Sequence, residues 1–503
     1  MLLEEVVSAS ATVAATRSRK AKVAALAEAL RAAAPEEIET VTAYLSGSLR
    51  QRRTGLGWRG LGALPPPAEA PTLTVTGVHE AFDRISVLAG PGSQAARAAE
   101  VASLFGAATA DEQRWLGGVV AGGVRQGALD ALVQEAVAEA AGLPLASVRR
   151  AAMLAGATGP VAVAALTRGE AALAEYQLEV GRPVLPMLAS SAGSVAEAMA
   201  KAGGGEVALD YKLDGIRLQV HKQGDQVLAV TRSLDDITHR LPEVVEIVRA
   251  LPAESLVLDG EALALDDGGR PRPFQETASR TAQGGGVAVT PYFFDLLALD
   301  GEDLLDRPGR ERIARLEALV PERHRVPRLV TSDVTEAQAF YDDACRNGQE
   351  GVVIKNLDAP YDAGRRGASW VKVKPVHTVD LVVLAVEEGS GRRRGWLSNI
   401  WLGARDPETG GFVMLGKTFK GMTDEMLAWQ TKRFTELETH RDGHVVHVRP
   451  EQVVEIAYAG VQRSTRYPGG IALRFARVVR YRDDKRPDEA DTIDSVQPYL
   501  PGG

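Results

Sequence analysis

The periodicity of the apolar residues changes along the chain, and this change constrains the fold before any motif is considered. Through the first ~175 residues, apolar residues and alanines recur at helical spacing, as in AKVAALAEALRAAA and LDALVQEAVAEAAG. From Glu206 onwards they alternate with polar residues in short runs such as EVALDYKLDGIRLQVH, which is typical of strands. The sequence therefore predicts a helical region followed by regions built on sheets.

A chain of 503 residues is too long for one hydrophobic core, because domains usually hold about 100 to 200 residues. We predict an all-α domain over 1–175 and an α/β (α+β) domain with antiparallel sheets over 182–375. After Pro375, several short strands with no long helix between most of them predict a small β-barrel of the OB-fold type over 376–503. The segment VGRPVLPMLASS is the expected linker between the first two domains.

The cysteine content and the N-terminus predict a cytoplasmic protein. A single cysteine, Cys345, can form neither a disulfide framework nor a multi-cysteine zinc site. The N-terminus has acidic rather than basic residues, and no apolar run approaches the ~20 residues of a membrane span. The net charge of -8 does not exclude nucleic-acid binding, because local basic patches set the field at a groove.

The segment YKLDGIR places Lys212 at the end of a predicted strand. A lysine attacks phosphorus only as the free amine, so it must be desolvated or lie beside other cations. Lys372 and Lys374 in WVKVK alternate with valines, lie on one face of a strand and could supply that charge. Any lysine considered alone is far more often a solvated surface residue. The interpretation of Lys212 as a nucleophile therefore depends on the motifs around it.

Six motifs occur in a fixed order: KLDGIR, LDGEA, FFDLL, EGVVIK, WVKVK and RYRDDK. Together they resemble the signature of covalent nucleotidyltransferases, and specifically of ATP-dependent DNA ligases. The resemblance extends from about residue 206 to the C-terminus. It implies that Lys212 takes AMP from ATP, that AMP passes to the 5′-phosphate of a nick, and that the 3′-hydroxyl then expels AMP. ATP, Mg²⁺ and nicked double-stranded DNA are the implied cofactors and partner.

The resemblance also implies roles in nucleotide binding. Asp210 would help to recognise adenine, although many family members carry glutamate at that position. Phe294 would stack on the base, and Glu261 would accept hydrogen bonds from the ribose hydroxyls. Arg217 and Arg232 would hold the ribose and the phosphates, including the 5′-phosphate of the nick.

The same resemblance implies a metal site and further phosphate contacts. Glu350, together with Glu261, would bind the divalent metal, for which magnesium with oxygen ligands is expected. Lys355 would contact phosphate beside the WVKVK lysines. Arg366 matches a nucleotide-contacting arginine of the family, with Arg365 as an equally basic rival.

The basic run RFARVVRYRDDKR near the C-terminus has two interpretations. From its residues alone it is a phosphate-binding patch or a solvated strand edge. The resemblance implies that Arg482 and Lys485 orient pyrophosphate after the last domain swings over the active site.

Phe294 also has an alternative interpretation, since a phenylalanine in an apolar strand is often a core residue. Its neighbour Phe293 must then point to the opposite face of the strand.

Arginines among glycines in the helical region predict contacts with DNA phosphates, because glycines allow close backbone approach without base readout. These candidates are Arg50, Arg52, Arg53, Arg59 and Arg125. The segments DRISVLAGPGSQ and LGGVVAGGVRQGALDALVQEA resemble, more loosely, the helical DNA-binding domain of larger ATP-dependent ligases. The alternative is a helical bundle with Gly-rich turns and solvated arginines.

Other functions remain as alternatives at this point. An RNA ligase or a capping-type guanylyltransferase would use the same lysine chemistry, but these enzymes lack a helical module of this kind. NAD-dependent ligases carry a tetracysteine zinc module, which one cysteine cannot supply. A catalytically retired DNA-binding scaffold is disfavoured, because no catalytic position carries an inert residue. We expect a monomer that acts in DNA replication, repair or recombination.

Overall fold

The computed structural model describes residues 1–51, 53–57, 61, 64–120, 124, 130–266, 268–272, 277, 288–362, 366–389 and 393–500. Within this part of the chain the N-terminal region is helical, as predicted. Its helices are α1 (Leu3–Ala15), α2 (Arg19–Ala32), α3 (Ile38–Leu45), α4 (Val75–Ser86), α5 (Ser93–Gly106), α6 (Ala110–Val120), α7 (Asp130–Ala141), α8 (Leu145–Ala155), α9 (Thr158–Arg168) and α10 (Glu170–Ala174).

The helices pack their apolar faces into one core. Leu26 and Leu30 of α2, Tyr44 of α3, Phe82 of α4 and Val133 of α7 are among its buried residues. Side chains four residues apart lie on one face of a helix. The residues at the helical spacing found in the sequence therefore point into this shared core. Among the described helices, none is both long and apolar enough to cross a membrane.

The middle region combines strands with shorter helices. Its elements are β1 (Leu188–Ser191), α11 (Val195–Lys201), β2 (Val207–Tyr211), β3 (Ile216–Gln223), β4 (Gln226–Thr231), α12 (Pro242–Arg249), β5 (Ser255–Ala264), β6 (Val289–Leu299), β7 (Glu302–Asp303), α13 (Gly309–Leu319), β8 (Arg328–Thr331), α14 (Val334–Arg346), β9 (Val352–Asn356) and β10 (Arg366–Val373).

These strands form two sheets. One has the order β1-β10-β9-β2-β8 and the other the order β4-β3-β5-β6-β7. All the pairs are antiparallel, as predicted, except that β1 runs parallel to β10. The difference has a physical reason: a parallel pair needs a long connection, and almost the whole middle region lies between these two strands.

The C-terminal region is rich in strands. It contains β11 (His377–Glu388), β12 (Leu397–Arg405), β13 (Phe412–Thr418), α15 (Asp424–Glu436), β14 (Glu438–Asp442), β15 (Val445–Val448), β16 (Val453–Tyr458), β17 (Gly460–Arg463), β18 (Ile471–Arg474), β19 (Arg477–Tyr481) and α16 (Ile493–Val496). The sequence interpretation did not identify α15, which Thr423 caps by accepting a hydrogen bond from the amide of Met426.

The strands of this region nearly return on themselves. β12 lies between β11 and β13, while β16 pairs with both β11 and β19. Beyond the end of β13, the amide of Val478 in β19 donates to the carbonyl of Lys420 at 2.9 Å. The Thr418 hydroxyl donates to the carbonyl of Ala476 at 2.6 Å. The last strand therefore meets the edge of β13.

The predicted linker between the helical and middle regions is packed rather than loose. Val184 and Met187 are buried in a cluster with Met153 of α8 and Leu297 of β6. The amide of Leu185 donates to the carbonyl of Met153 at 2.9 Å. The helical region is thereby joined to the sheets through apolar contacts.

Gly351, just before β9, lies against the backbone of β10. Its φ is +110°, and an added Cβ would overlap the carbonyl oxygen of Val373. Gly348 has a φ of +75°, but its Cβ would meet no atom within 4 Å. Gly348→Ala should lower Tm by about 2 to 4 °C through backbone strain alone. Gly351→Ala should lower Tm by at least twice as much; equal losses in thermal melts would contradict this packing.

Candidate active site

A cavity of about 780 Å³ lies between the two sheets of the middle region. Its walls come from segments that are distant in sequence, because residues of β2, β3, β5, β6, β9 and β10 all line it. The cavity brings together ten residues that the sequence singled out: Asp210, Lys212, Arg217, Arg232, Glu261, Phe294, Glu350, Lys355, Lys372 and Lys374.

Lys212 sits directly after β2, and its backbone is hydrogen-bonded to the segment just before β9. Its amide donates to the carbonyl of Gly351 at 2.8 Å, and its carbonyl accepts from the amide of Glu350 at 2.9 Å. Lys212 Nζ lies 2.5 Å from Glu350 Oε2, which is also 2.6 Å from Lys374 Nζ. The two lysines therefore share one carboxylate.

The shared carboxylate is electrostatically stabilised. Burial alone would raise the pKa of Glu350, but the ammonium groups of Lys212 and Lys374 lower it below its ordinary value. Glu350 is therefore ionised at neutral pH. An anionic oxygen beside the amine can hold either an ammonium or a metal cation.

The pKa of Glu261, on β5, is shifted in the opposite direction. Burial and the neighbouring Asp259 raise its pKa to about 7, although Lys212 and Arg217 act to lower it. A carboxyl group with this pKa is only partly ionised at neutral pH. A bound cation would favour its ionised form.

Two aromatic side chains form a corner of the cavity. The rings of Phe294 on β6 and Trp370 on β10 meet edge to face, with their centroids 5.9 Å apart. Phe293 is fully buried in the core behind β6, so the prediction that the two phenylalanines point to opposite faces is confirmed. The sequence interpretation missed Trp370, although its place two residues before Lys372 puts it on the same strand face.

Arg217 is held by partners that the sequence interpretation did not identify. Its guanidinium donates to both carboxylate oxygens of Asp259, at 2.9 and 2.6 Å, and to the carbonyl of Met187 at 2.8 Å. The buried hydroxyl of Tyr361 donates to the same carboxylate at 2.7 Å. Asp259 lies in LDGEA, two residues before Glu261, and this motif was the available signal. Arg232 is exposed at the cavity wall.

Asp210 is buried beside two cations. Its carboxylate is 2.5 and 2.8 Å from Arg328 nitrogens and 2.7 Å from Lys355 Nζ. Lys355 Nζ also lies 4.6 Å from the Phe294 ring centre and 4.2 Å from that of Trp370. These partners differ from the phosphate contact predicted for Lys355. That contact stays a prediction.

The C-terminal region reaches the cavity through Arg474 and Phe475. Arg474 donates to Asp214 of KLDGIR at 2.7 Å, which gives Asp214 a partner that the sequence did not suggest. The predicted pyrophosphate-orienting residues are not among the cavity walls. Arg482 and Lys485 instead contact Asp380, at 3.0 and 2.7 Å.

The arginines predicted to bind DNA differ in their surroundings. Arg50 pairs with Glu39 at 2.8 Å, and Arg53 is exposed. Arg52, Arg59 and Arg125 lie outside the described residues, as does Arg365. Arg366 contributes its backbone to β10, opposite Leu188 of β1.

The donor set at Lys212 fits a divalent cation of the magnesium type. Glu350 supplies an ionised carboxylate, and Glu261 supplies a carboxyl whose ionisation a cation would favour. Both line the cavity, and both are hard oxygen donors. Magnesium usually binds one or two carboxylates together with substrate phosphates and waters, so a larger cluster of acidic ligands is not required.

Comparisons with known proteins agree with this architecture. Three family models match: "ATP dependent DNA ligase domain" over 186–374, "ATP dependent DNA ligase C terminal region" over 393–485 and "DNA ligase N terminus" over 61–138. The matches place the chain among multidomain enzymes that join DNA with ATP. The chain belongs to the ATP-dependent DNA ligase family.

Relatives that align over nearly the whole chain are also named as DNA ligases. A probable DNA ligase of a Nocardioides strain is 70% identical, covering 99% of each chain. One from Kineococcus radiotolerans is 65% identical over 99% of each. The solved structure titled "Pmar-Lig_Pre." has a TM-score of 0.64 at 18% identity, covering 95% of this chain and 99% of its own. That likeness concerns the fold alone.

The raised pKa of Glu261 predicts how stability depends on pH. The unfolded chain ionises this carboxyl near 4.5, whereas the folded protein keeps it protonated to about pH 7. Folding stability is therefore lost as the pH rises between these values. Relative to Glu261→Gln, the wild type should lose about 1 to 2 kcal/mol of unfolding free energy from pH 4.5 to 8, reduced by partial exposure.

The measurement is chemical unfolding of both proteins without nucleotide or metal at the two pH values. Glu261→Gln removes the titration and keeps the shape of the side chain. A wild type that gains stability relative to Glu261→Gln as the pH rises would contradict the raised pKa.

Proposed function

We propose that the protein seals 5′-phosphate/3′-hydroxyl nicks in duplex DNA through an AMP adduct on Lys212. The observation that carries the proposal is the placement of the Lys212 amine. It lies in a cavity with a carboxylate at 2.5 Å, a second lysine on that carboxylate, and an aromatic corner at the same cavity. This arrangement suits the transfer of a nucleotide from ATP.

In the first step the amine of Lys212, after losing a proton to solvent, attacks the α-phosphorus of ATP. The new N–P bond forms as the P–O bond to pyrophosphate breaks. Glu350 holds the amine in place before attack, and Lys372 and Lys374 face the charge that develops on the phosphate. A 5′-phosphate oxygen of the nick then attacks the AMP phosphorus and breaks the N–P bond, and the lysine amine regains a proton from solvent. The 3′-hydroxyl loses its proton and attacks the 5′-phosphorus, and AMP leaves as the phosphodiester forms.

The remaining cavity residues orient the nucleotide. Phe294 and Trp370 provide apolar ring surface for the base, and Glu261 accepts from the ribose hydroxyls. Arg217, fixed by Asp259, and the exposed Arg232 provide positive charge for phosphate oxygens. Lys355 and Arg366 complete the proposed nucleotide contacts.

Mg²⁺ is the proposed metal, held by Glu350 and Glu261. When bound it would neutralise phosphate charge during transfer. Glu350, which lies 2.5 Å from the Lys212 amine, would be one of the metal's two carboxylate ligands.

We assign the helical domain to 1–175, the adenylyltransferase domain to 182–375 and an OB-fold domain to 376–503. The near closure of β13 onto β19 supports the OB-fold, a partly open five-stranded barrel. The Arg474–Asp214 contact supports a conformation in which this domain covers the cavity. Arg482 and Lys485 would have to leave Asp380 before they could orient pyrophosphate.

The proposed DNA contacts of the helical domain are the glycine-flanked arginines Arg50, Arg52, Arg53, Arg59 and Arg125. Arg53 supports this assignment because it is exposed. Phosphate contacts without base readout would give the sequence tolerance that nick sealing needs. A monomeric state, a cytoplasmic location and the cellular pathway stay predictions.

The covalent step is tested with Lys212→Ala, using α-labelled ATP and Mg²⁺. The wild type should acquire acid-labile label that nicked DNA discharges as the nick is sealed, and Lys212→Ala should acquire none. Lys432→Ala, which removes an exposed lysine of α15, is the matched control and should label like the wild type. Label from GTP in place of ATP would favour a capping-type enzyme, and label on Lys212→Ala would refute the assignment.

The DNA contact of Arg53 is tested by the salt dependence of binding to a nicked duplex. Arg53→Ala should weaken binding and lower the slope of log Kd against log salt by about 0.9, the effect of one phosphate contact. Arg168→Ala is the control, because Arg168 already pairs with Glu175 at 3.0 Å. An unchanged slope in Arg53→Ala would show that Arg53 is only a solvated surface residue.

A further inference from the structure

Two buried cations on neighbouring strands hold the carboxylate of Asp210. Arg328 on β8 is directly opposite Asp210 on β2, as a cross-strand pair. On the other side Asp210 pairs with Val353 of β9, and Lys355 lies two residues further along that strand. Directly opposite and diagonal residues on one sheet face are within reach of long side chains. The sheet register therefore brings the three charges together.

The two cations approach the carboxylate from different sides. Asp210 and Lys355 line the nucleotide cavity. Arg328 lines a separate cavity behind it, with Glu317, Arg323 and Arg325. Arg328 thus supports the carboxylate from behind, while Lys355 supports it within the proposed nucleotide site.

The same cations connect Asp210 to the aromatic corner. Arg328 and Lys355 both donate to the carbonyl of Phe294, at 2.9 and 3.3 Å. The Lys355 ammonium also lies against the rings of Phe294 and Trp370. Because one pair of cations contacts both the carboxylate and the aromatic corner, the two are fixed relative to each other.

The ionised carboxylate of Asp210 determines which edge of a stacked base can lie beside this corner. A carboxylate held by two cations stays ionised and can only accept hydrogen bonds. It can accept from the 6-amino group of adenine, whereas the 6-oxo group of guanine would face it with another acceptor. A buried polar group that loses its partner is costly, so such a site discriminates by more than shape.

We propose that Arg328 and Lys355 are positioning residues for base selection, which fix Asp210 so that the protein prefers 6-aminopurine triphosphates. This inference rests on the proposed function, because it concerns the base of the nucleotide that Lys212 takes. It gives Lys355 a role at the base instead of at a phosphate.

The experiment compares three triphosphates in the labelling of Lys212: ATP, GTP and purine riboside triphosphate, which lacks the 6-amino group. The quantity measured is the ratio of kcat/KM for ATP to that for the purine analogue. The wild type should prefer ATP by about tenfold or more. In Lys355→Met the ratio should fall to about threefold or less, chiefly through a higher KM for ATP.

Lys222→Met is the matched control, because Lys222 is an equally buried lysine of the same domain. Its ammonium donates to the carbonyls of Arg249 and Leu251 instead of a carboxylate at the cavity. This variant should lose stability but keep the wild-type ratio. Arg328→Lys, which keeps the charge but cannot contact both oxygens of Asp210 as a fork, should give an intermediate ratio and carries the test if Lys355→Met does not fold.

The outcomes separate the inference from the proposed function. An unchanged ratio in Lys355→Met and Arg328→Lys would overturn the positioning role. Equal losses with ATP and with the analogue would also overturn it, because a residue that acts on the 6-amino contact must spare the analogue. If the wild type acquires no label from any triphosphate, the proposed function itself fails.

Discussion

The site depends on the pairing of β2 with β9. This pairing continues past the end of β2 as two backbone hydrogen bonds, from Lys212 to Gly351 and from Glu350 to Lys212. The Lys212 and Glu350 side chains start from this backbone contact, and their charged ends lie 2.5 Å apart. The backbone bonds fix where the proposed nucleophile and its carboxylate begin, and the ion pair joins their ends.

Around this pair, the cavity is built from charges that compensate one another. Glu350 is shared by Lys212 and Lys374, Asp259 is held by Arg217, and Asp210 is held by Arg328 and Lys355. A buried charge without a partner is strongly unfavourable, and each of these three carboxylates lies beside its own cation. The proposed nucleotide and metal would add charges of both signs beside Glu350, while Asp210 would keep the two cations that fix it.

Some residues lie where the sequence predicts, and others have partners that the sequence could not predict. The sequence places Phe294 and Phe293 on opposite strand faces, and the structure agrees, because alternation is a local property of a strand. The partners of Arg217 were not predictable in this way. Asp259 and Tyr361 are 42 and 144 residues away from it. The pairing of β3 with β5 brings Asp259 beside it, and Tyr361 comes from the segment between β9 and β10. The helix α15 was missed because its mixed composition weakens the periodic signal.

The sequence alone determined the family and the change from helices to strands, and it predicted the nucleophile. These follow from motif order and from local periodicity, which do not depend on how distant segments meet. The tertiary structure decided which charges neighbour one another: Lys355 beside Asp210, Arg474 beside Asp214, and Arg482 beside Asp380. The physical reason is that an ion pair depends on distance in space. Sheet register and the docking of the C-terminal region set that distance, and neither can be predicted from a short stretch of sequence.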